Sequence, residues 1–450
     1  MRRRQLYTEM ENLTPTKLAL ISERARKEPR CQFTSLAHLL NEGFLKECYY
    51  RLGRDRASGI DGVTWREYGE NLDENLKGLV TRMKAKRYKP LPARRVYIPK
   101  GEHSKRPLGL PALEDKIVQK GIARILEAIY EADFLDCSYG FRPGRDCHQA
   151  INAVDKAIMQ KPVNNVIEVD IKGFFDNVSH TWMMEFLKVR IKDPSFLLLI
   201  RRFLKAGYID AGMVVATEKG TPQGGNLSPM LSNIFLHYVL DLWFEKRLKP
   251  RLRGECRLVR YADDFICLVR YADDARYMEQ ALRARFARFD LELHPEKTRV
   301  ISFGRYEREN AQRQKRRPNT FDFLGFTHYC GKSRRGRFIV GRKTSRKKLR
   351  KKCRELKDWL KTVRNRLNVK EWWPVLCAKL TGHYRYYGVS GNSRSIRCYY
   401  LAAVRCVLKS LNRRSQRRSY TWTGYWKYLK RYPLPRPRIM YNLYTLSPRT

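Results

Sequence analysis

The sequence predicts an α+β fold followed by an all-α, strongly basic C-terminal part, and three observations carry that prediction. Two apolar runs, within residues 164–178 and 257–268, have strand-like composition and are ended or interrupted by aspartates. Other stretches repeat apolar residues at helical spacing, as in Val118, Ile122, Ile125, Leu126 and Ile129. Residues 305–450 hold 40 Lys and Arg against 6 Asp and Glu, a net +34 out of +48 for the whole chain, and aromatic rings are interleaved with that charge.

A chain of 450 residues can bury a large core and suggests two or three domains. A formal charge of +48 and a pI near 10.2 call for a polyanionic partner. The longest apolar runs fall far short of the roughly 20 residues that span a bilayer, so nucleic acid is expected and a membrane is not. The start, Met1 to Tyr7, is basic and lacks the apolar segment of a secretory signal, which predicts a cytoplasmic protein. The eleven cysteines are odd in number, scattered from Cys31 to Cys406, and contain no Cys-x-x-Cys pair; most are expected to be small buried apolar residues.

Residues 1–53 read as a helical N-terminal extension, with Leu36, Leu39, Leu40 and Phe44 at helix-like spacing beside the basic stretch Arg24 to Arg30. Residues 54–64 form a Gly/Asp-rich loop. Residues 94–112 read as a basic hairpin whose turn is flanked by Lys100 and Arg106. Ser138 to Asp146 is turn-rich and reads locally as a loop. The run 164–178 carries Asp170 near its strand end, and a helix follows with Ser179 as its N-cap. Residues 220–229 pack three glycines and two prolines into ten positions before an amphipathic helix containing Leu231, Ile234, Phe235, Tyr238 and Val239. Without a terminal Gly-Lys-Ser/Thr this is no Walker loop.

The run 257–268 reads as strand, acidic turn, strand, with Asp263 and Asp264 at the hairpin tip. An Asp-Asp pair between strands can simply shape a turn. Asp170 argues for more: if the two strands are neighbours, the three carboxylates converge and can hold two divalent cations roughly 4 Å apart. Hard oxygen donors suit Mg²⁺. The hexapeptide Val-Arg-Tyr-Ala-Asp-Asp occurs twice, at 259–264 and 269–274. The first copy is followed by a return strand and is assigned the chemistry. The second opens a helical pattern, Met278, Ala281, Leu282, Phe286 and Phe289, where acids serve the helix start, so Asp273 and Asp274 are assigned a structural role.

Tyr261-Ala262-Asp263-Asp264 together with the Asp170 segment resembles the metal-binding motif pair of reverse transcriptases, and Arg260 to Phe265 resembles the version in bacterial group II intron-encoded reverse transcriptase/maturases. The likeness runs from about residue 55 to the end. It takes in Gly59 to Val63, Tyr139 to Pro143, Pro222-Gln223-Gly224 through Ser228-Pro229 (with one residue more than the usual spacing), Leu291 to Ile301, Phe323 to Phe326, and the segments 381–391 and 411–422. The resemblance implies a right-hand polymerase: fingers and palm over 54–304, a linker and primer-grip segment over 305–335, and a helical thumb/X (maturase) domain over 336–450. It implies RNA-directed DNA synthesis with two Mg²⁺ held by Asp170, Asp263, Asp264 and the Ile171 carbonyl. It makes Lys297 a general acid for the leaving pyrophosphate, Lys100, Arg106 and Gln223 nucleotide contacts, and Phe175 a steric gate against a 2′-hydroxyl. For RNA it implies Arg142, the helix residues Arg346, Lys347 and Lys348, and the cluster Arg413, Arg414, Arg417 and Arg418, with basic residues around nearly the whole circumference of 342–357.

Implied partners are the parent group II intron RNA, an RNA template with a DNA primer, target DNA and deoxynucleoside triphosphates, in a ribonucleoprotein near the nucleoid. No nuclease cassette follows residue 422, which implies the subset of the family without an endonuclease domain. A reverse transcriptase of a retron, diversity-generating or defence system, and a non-catalytic splicing cofactor, are the alternative readings.

Overall fold

The computed structural model describes residues 15–99, 105–221, 224–333, 335–413 and 420–443. Its strands are β1 (Ala93–Pro99), β2 (Lys105–Leu110), β3 (Asn165–Val169), β4 (Tyr208–Asp210), β5 (Met213–Val215), β6 (Cys256–Tyr261), β7 (Asp264–Val269), β8 (Arg299–Ser302), β9 (Thr320–Phe323), β10 (Phe326–Lys332) and β11 (Phe338–Thr344). They form three sheets, ordered β2-β1-β4-β5, β6-β7-β3-β8 and β11-β10-β9. With the helices around them the fold is mixed α/β, closed by four C-terminal helices.

The central sheet, β6-β7-β3-β8, is antiparallel throughout, with Ile167 opposite Cys267 and Val300, and Leu258 opposite Cys267. Its strands lack polar alternation because both faces are covered. Ile167, Val169, Leu258, Phe265 and Cys267 point into the main core with the helices Leu113–Tyr130, His180–Arg190 and Ala272–Ala287. Val166, Val259, Ile266 and Leu268 point into a second core with the helix Cys147–Gln160 and strands β9 to β11. A continuous apolar run is what a strand buried on both sides requires.

The helix Leu113–Tyr130 forms as its spacing predicts, with Val118, Ile122, Ile125, Leu126 and Ile129 fully buried. Of the expected N-terminal extension, residues 1–14 lie outside the described residues, and within the rest Leu36, Leu39, Leu40 and Phe44 are buried in the same core, split between a short 3₁₀ turn and the helix Glu42–Tyr50, which Asn41 caps by accepting from the Phe44 N–H at 3.0 Å. Ser179 occupies the N-cap of His180–Arg190 without making a side-chain cap bond.

Four expectations need correction. The helix after the Gly/Pro loop, Ser228–Leu236, is buried around nearly its whole girth and runs on through two π-helical turns, so it is a central helix and not an amphipathic one. The segment 305–319 is no linker. It holds the helix Glu307–Arg313, whose buried Glu307 carboxylate accepts from Ser302, Arg316 and the Asn319 N–H. Arg342 lies in β11, buried against Asp155, and the basic helix starts only at Arg346. That helix, Arg346–Val363, is one-sided: Leu356, Leu360 and Val363 are buried, while Arg346, Lys347, Lys348, Arg350, Lys351 and Lys352 face solvent.

The C-terminal helices Arg346–Val363, Val369–Tyr387, Ser393–Leu411 and Trp422–Arg431 enclose a third core. Trp372, Tyr384, Tyr387, Tyr399 and Tyr425 are spent on it, whereas Trp422 and Trp426 remain exposed and stack one turn apart. The cysteines are all free thiols; four are buried, Cys398 is exposed and the rest are half-buried. Among the described residues no helix is long and apolar enough to cross a membrane.

Candidate active site

The end of the central sheet gathers the acids. Val169, the last residue of β3, pairs with Phe265, so the next residue, Asp170, emerges level with Asp264. On the other side of β7, Tyr261 pairs with Asp264, and the chain reverses through only Ala262 and Asp263. Ala262 takes a left-handed conformation, φ 58°, the geometry that two-residue hairpins with native twist demand. Only Asp263 therefore occupies the turn. Asp264 is the first residue of the return strand, which corrects the expectation that both carboxylates sit at the tip.

These residues floor an open cleft of about 1020 Å³ that is also lined by Glu168, Ile171, Phe175, Lys105, Arg106, Lys297, Asp322 and Lys348. Although Asp264 is open to the cleft, desolvation by the protein packed around its carboxyl, followed by the negative charges of Asp263, Asp170 and Glu168, pushes that carboxyl up to about 7, against a smaller opposing effect of the Leu324 backbone N–H. Burial also raises Asp263, with Arg106 opposing and Asp170 adding to the rise. Acids whose charged forms are disfavoured by one another's presence gain from a cation, and an all-oxygen donor set fits a hard one such as Mg²⁺. Among the described residues, however, no three His, Cys, Asp or Glu side chains stand gathered at metal-ligand spacing. Asp170 Oδ2 instead accepts from Lys297 Nζ at 2.6 Å.

The backbone after Asp170 is fixed on its far side. The His294 N–H donates to the Asp170 carbonyl and the Lys172 N–H to the Glu292 carbonyl, both at 2.8 Å. Ile171 and Leu293 are thus a non-hydrogen-bonded antiparallel pair, and the Ile171 carbonyl is directed away from that partner. Phe175 is half-buried, edge-on to the buried Phe174 at 5.4 Å, and lines the cleft.

The Gly/Pro loop is stitched beneath this segment. The Thr221 N–H donates to the Phe175 carbonyl and the Gly220 N–H to the Val178 carbonyl, both at 2.7 Å. Gly220 has φ 91°, and a Cβ there would lie 2.9 Å from the Asp176 carbonyl oxygen, so neither the conformation nor the contact leaves room for a side chain. Past the undescribed pair 222–223, Gly224 approaches β2 so closely that a Cβ would meet the Gly109 carbonyl at 2.5 Å. The loop thereby ties the first sheet to the central one.

Of the remaining sequence candidates, Arg106 and Lys348 are on the cleft wall. Arg346, Lys347 and Arg413 are exposed. Lys100, Gln223, Arg414, Arg417 and Arg418 lie outside the described residues. Arg142 is corrected: its side chain is 4% exposed, it forks onto Glu131 at 2.7 Å, and it also donates to the carbonyls of Leu135 and Ser138, so it is not presented to a phosphate. Asp274 is buried and accepts from the Gly254 N–H at 2.9 Å, while Asp273 pairs with Arg253 and Arg276. The cap position itself belongs to Tyr271, so these acids serve the first helical turn and a tether, not the cap.

Sequence reasoning passed over the residues behind the turn. Arg260 and Asp241 are fully buried and form an ion pair at 2.5 Å. The stretch Cys137 to Gly140 runs alongside, the Arg260 N–H donating to the Cys137 carbonyl and the Tyr139 N–H to the Arg260 carbonyl. The available signal was a charged residue directly after two apolar ones in each element, Leu258-Val259-Arg260 and Val239-Leu240-Asp241, for such residues are rarely buried unless paired.

The reverse transcriptase (RNA-dependent DNA polymerase) family profile matches residues 98–328, more than half of the chain, and takes in both acid-bearing strands. Protein YkfC of Escherichia coli is 38% identical over 240 residues, covering 47% of this chain and 63% of that protein. Group II intron-encoded protein LtrA of Lactococcus lactis is 36% identical over 248 residues, covering 53% of this chain and 41% of that protein. Nuclear intron maturase 1 of Arabidopsis thaliana is 32% identical over 95 residues, 21% of this chain and 13% of that protein. The matches thus span less than two thirds of these relatives' lengths. With Asp170, Asp263 and Asp264 at the end of one antiparallel sheet and the profile covering all three, the chain belongs to the reverse transcriptase family, where its relatives include proteins encoded in group II introns.

Proposed function

We propose that the chain is an RNA-directed DNA polymerase that also binds its parent group II intron RNA and promotes splicing and mobility. The observation that carries the polymerase reading is the register that brings Asp170 level with Asp264 in a cleft walled by Lys105, Arg106, Lys297 and Lys348. In this reading the first sheet belongs to the fingers, the central sheet is the palm, and the C-terminal helices are the thumb and maturase region. The substrates are an RNA template with a DNA primer and deoxynucleoside triphosphates, with target DNA as the eventual acceptor.

Asp170, Asp263, Asp264 and the Ile171 carbonyl would hold two Mg²⁺, which supply charge stabilisation to in-line displacement of pyrophosphate by the primer 3′-hydroxyl. The chain's own groups do the rest. Arg106, with Lys100, offsets charge on the triphosphate. Phe175, five residues beyond Asp170 and against the cleft, limits space beneath the sugar, and Gln223 accompanies the nascent base pair. Lys297, which lines the same cleft and donates to Asp170 at 2.6 Å, would give a proton to the leaving pyrophosphate. Intron RNA is bound through phosphate contacts of Arg346, Lys347 and the 413–418 cluster, with exposed aromatics such as Trp422 and Trp426 offering stacking surfaces.

Asp263→Asn tests the reading. Primer extension on an RNA template should fall by orders of magnitude, with intron RNA binding and splicing retained. The double change Asp273→Asn and Asp274→Asn should cost about 1–2 kcal/mol of stability through the lost tether and dipole interaction while extension persists. Normal extension by Asp263→Asn, or its loss in a folded Asp273/Asp274 variant, refutes the assignment.

A further inference from the structure

The Arg260 guanidinium has five N–H groups, and five bonds account for them. Nε donates to Asp241 Oδ1 at 2.8 Å and Nη2 to Asp241 Oδ2 at 2.5 Å. Nη2 also donates to Ser138 Oγ at 2.8 Å. Nη1 donates to Asn233 Oδ1 and to the Ala262 carbonyl, each at 3.0 Å. The side chains of both Arg260 and Asp241 are 0% exposed. Asn233 in turn donates to the Gly140 carbonyl at 2.7 Å.

A buried ion pair is a poor investment for stability alone, because desolvation offsets most of its attraction and apolar replacements of like volume often do as well. Three bonds in this set have no part in the ion pair, and one of them, the bond to the Ala262 carbonyl, reaches the turn itself. That carbonyl belongs to the peptide joining Ala262 to Asp263, and Ala262 is the residue held at φ 58°. A left-handed alanine lies above its preferred conformation and persists only where its surroundings hold it. The three partners that hold the guanidinium come from three elements: Asp241 from the first π turn of the central helix, Asn233 from the turns before it, and Ser138 from the segment beside β6.

We propose that Arg260 is a positioning residue for synthesis: anchored by Asp241, Asn233 and Ser138, it fixes the Ala262–Asp263 peptide and so aims the Asp263 carboxylate at the cleft shared with Asp170 and Asp264. The inference rests on the polymerase reading given above. It makes Asp241 the counter-charge that lets the fork be buried, and it makes the central helix the reference against which the carboxylate is set. Lysine cannot substitute, since a single ammonium has neither the planar fork for Asp241 nor the reach to hold Asn233 and Ala262 together.

The test pairs the double variant Arg260→Met/Asp241→Leu with Arg260→Lys in the full chain. The double variant removes both buried charges and is expected to melt near the wild-type temperature. Its kcat for dNTP addition should fall about 100-fold, the scale of a displaced reacting group, with the KM for dNTP and the primer-template affinity little changed. Mn²⁺ titration followed by electron paramagnetic resonance should show about tenfold weaker binding, a readout independent of turnover. A double variant that melts, binds Mn²⁺ and extends primers like the wild type overturns the proposal and leaves Arg260 a folding pair. If the double variant does not fold, Arg260→Lys decides: a folded protein with kcat at least about tenfold down supports positioning, and wild-type kcat overturns it. Failure of the wild type itself to extend primers would instead remove the polymerase reading.

Discussion

Gly140→Ala is the most informative single-methyl change in this chain. A Cβ at Gly140 would lie 2.4 Å from the Ala262 nitrogen, 3.0 Å from the Tyr261 carbonyl carbon and 3.3 Å from the Ala262 Cα, all backbone atoms of the turn before Asp263. Ordinary contact to a methyl carbon begins near 3.4 Å, so the two backbones must separate by about 1 Å. The turn cannot simply yield, because Arg260 holds the Ala262 carbonyl and Asn233 holds the Gly140 carbonyl. Overpacking of this kind costs about 1–3 kcal/mol in stability. A shift of about 1 Å in a reacting group costs on the order of 100-fold in rate, roughly 2.7 kcal/mol of barrier. Denaturant melts should therefore show a folded protein of reduced stability, and single-turnover dNTP incorporation should be slowed about 100-fold with template binding intact. A variant that loses stability as described yet incorporates nucleotide at the wild-type rate would refute the claim that this backbone contact sets the carboxylate. A variant of unchanged stability would refute the contact.

Phe175→Ala should open the space beneath the sugar and raise incorporation of ribonucleotides relative to deoxynucleotides, measured as the ratio of kcat/KM; an unchanged ratio returns Phe175 to a packing role. Neutralising Arg346, Lys347 and Arg350 together should lower the magnitude of the salt slope of intron RNA binding by up to about 2–3, given about 0.7–0.9 per lost phosphate contact, and an unchanged slope would place RNA elsewhere. Asp115 supplies a pH prediction: burial pushes its carboxyl up to about 7, although the Tyr88 hydroxyl and the Leu91 N–H at 3.0 Å oppose the rise. A carboxyl raised on folding contributes stability that is full below its unfolded value near 3.9 and is lost as pH climbs through 7. Relative to Asp115→Asn, whose side chain does not titrate, the wild type should thus lose several degrees of melting temperature between pH 4 and pH 7.5, and a pH-independent difference would refute it.

What could be read from the sequence was what adjacent residues determine. The apolar runs around Asp170 and Asp264 marked strands, and the flanks of the two Val-Arg-Tyr-Ala-Asp-Asp copies separated a return strand from a helix start, as β7 and the Ala272–Ala287 helix bear out. What escaped was set by partners distant in the chain. Arg142 looks like a loop cation until Glu131, eleven residues upstream, is folded against it. The stretch from Glu307 has a linker's composition, and only Ser302, Arg316 and Asn319 converging on one carboxylate make it a fixed corner. Arg342 seemed part of a basic helix because neither periodicity nor charge count reveals Asp155, 187 residues away. The same blindness hid the Arg260 fork, since local pattern says where a charge is unusual and not what answers it.

The distinction matters for how the +48 charge is understood. Among the described residues four arginines are buried, and each faces a carboxylate: Arg142 with Glu131, Arg190 with Asp133, Arg260 with Asp241, and Arg342 with Asp155. All four also donate to backbone carbonyls, respectively of Leu135, Pro29, Ala262 and Val340, and the Arg190 bond to Pro29 joins segments that no shared strand or helix connects. A rigid planar fork can do this and an ammonium cannot, which accounts for arginine at these sites. On the exposed face of the helix from Arg346 the requirement changes, and Arg346, Lys347, Lys348, Arg350, Lys351 and Lys352 mix both types. Phosphate neutralisation needs only a positive charge within reach, so there the two residues are nearly equivalent. The total charge therefore divides by geometry into an internal set, paired with carboxylates and spent on holding the fold, and an external set on the surface that can meet a polyanion. Only the external set should appear in the salt dependence of RNA binding.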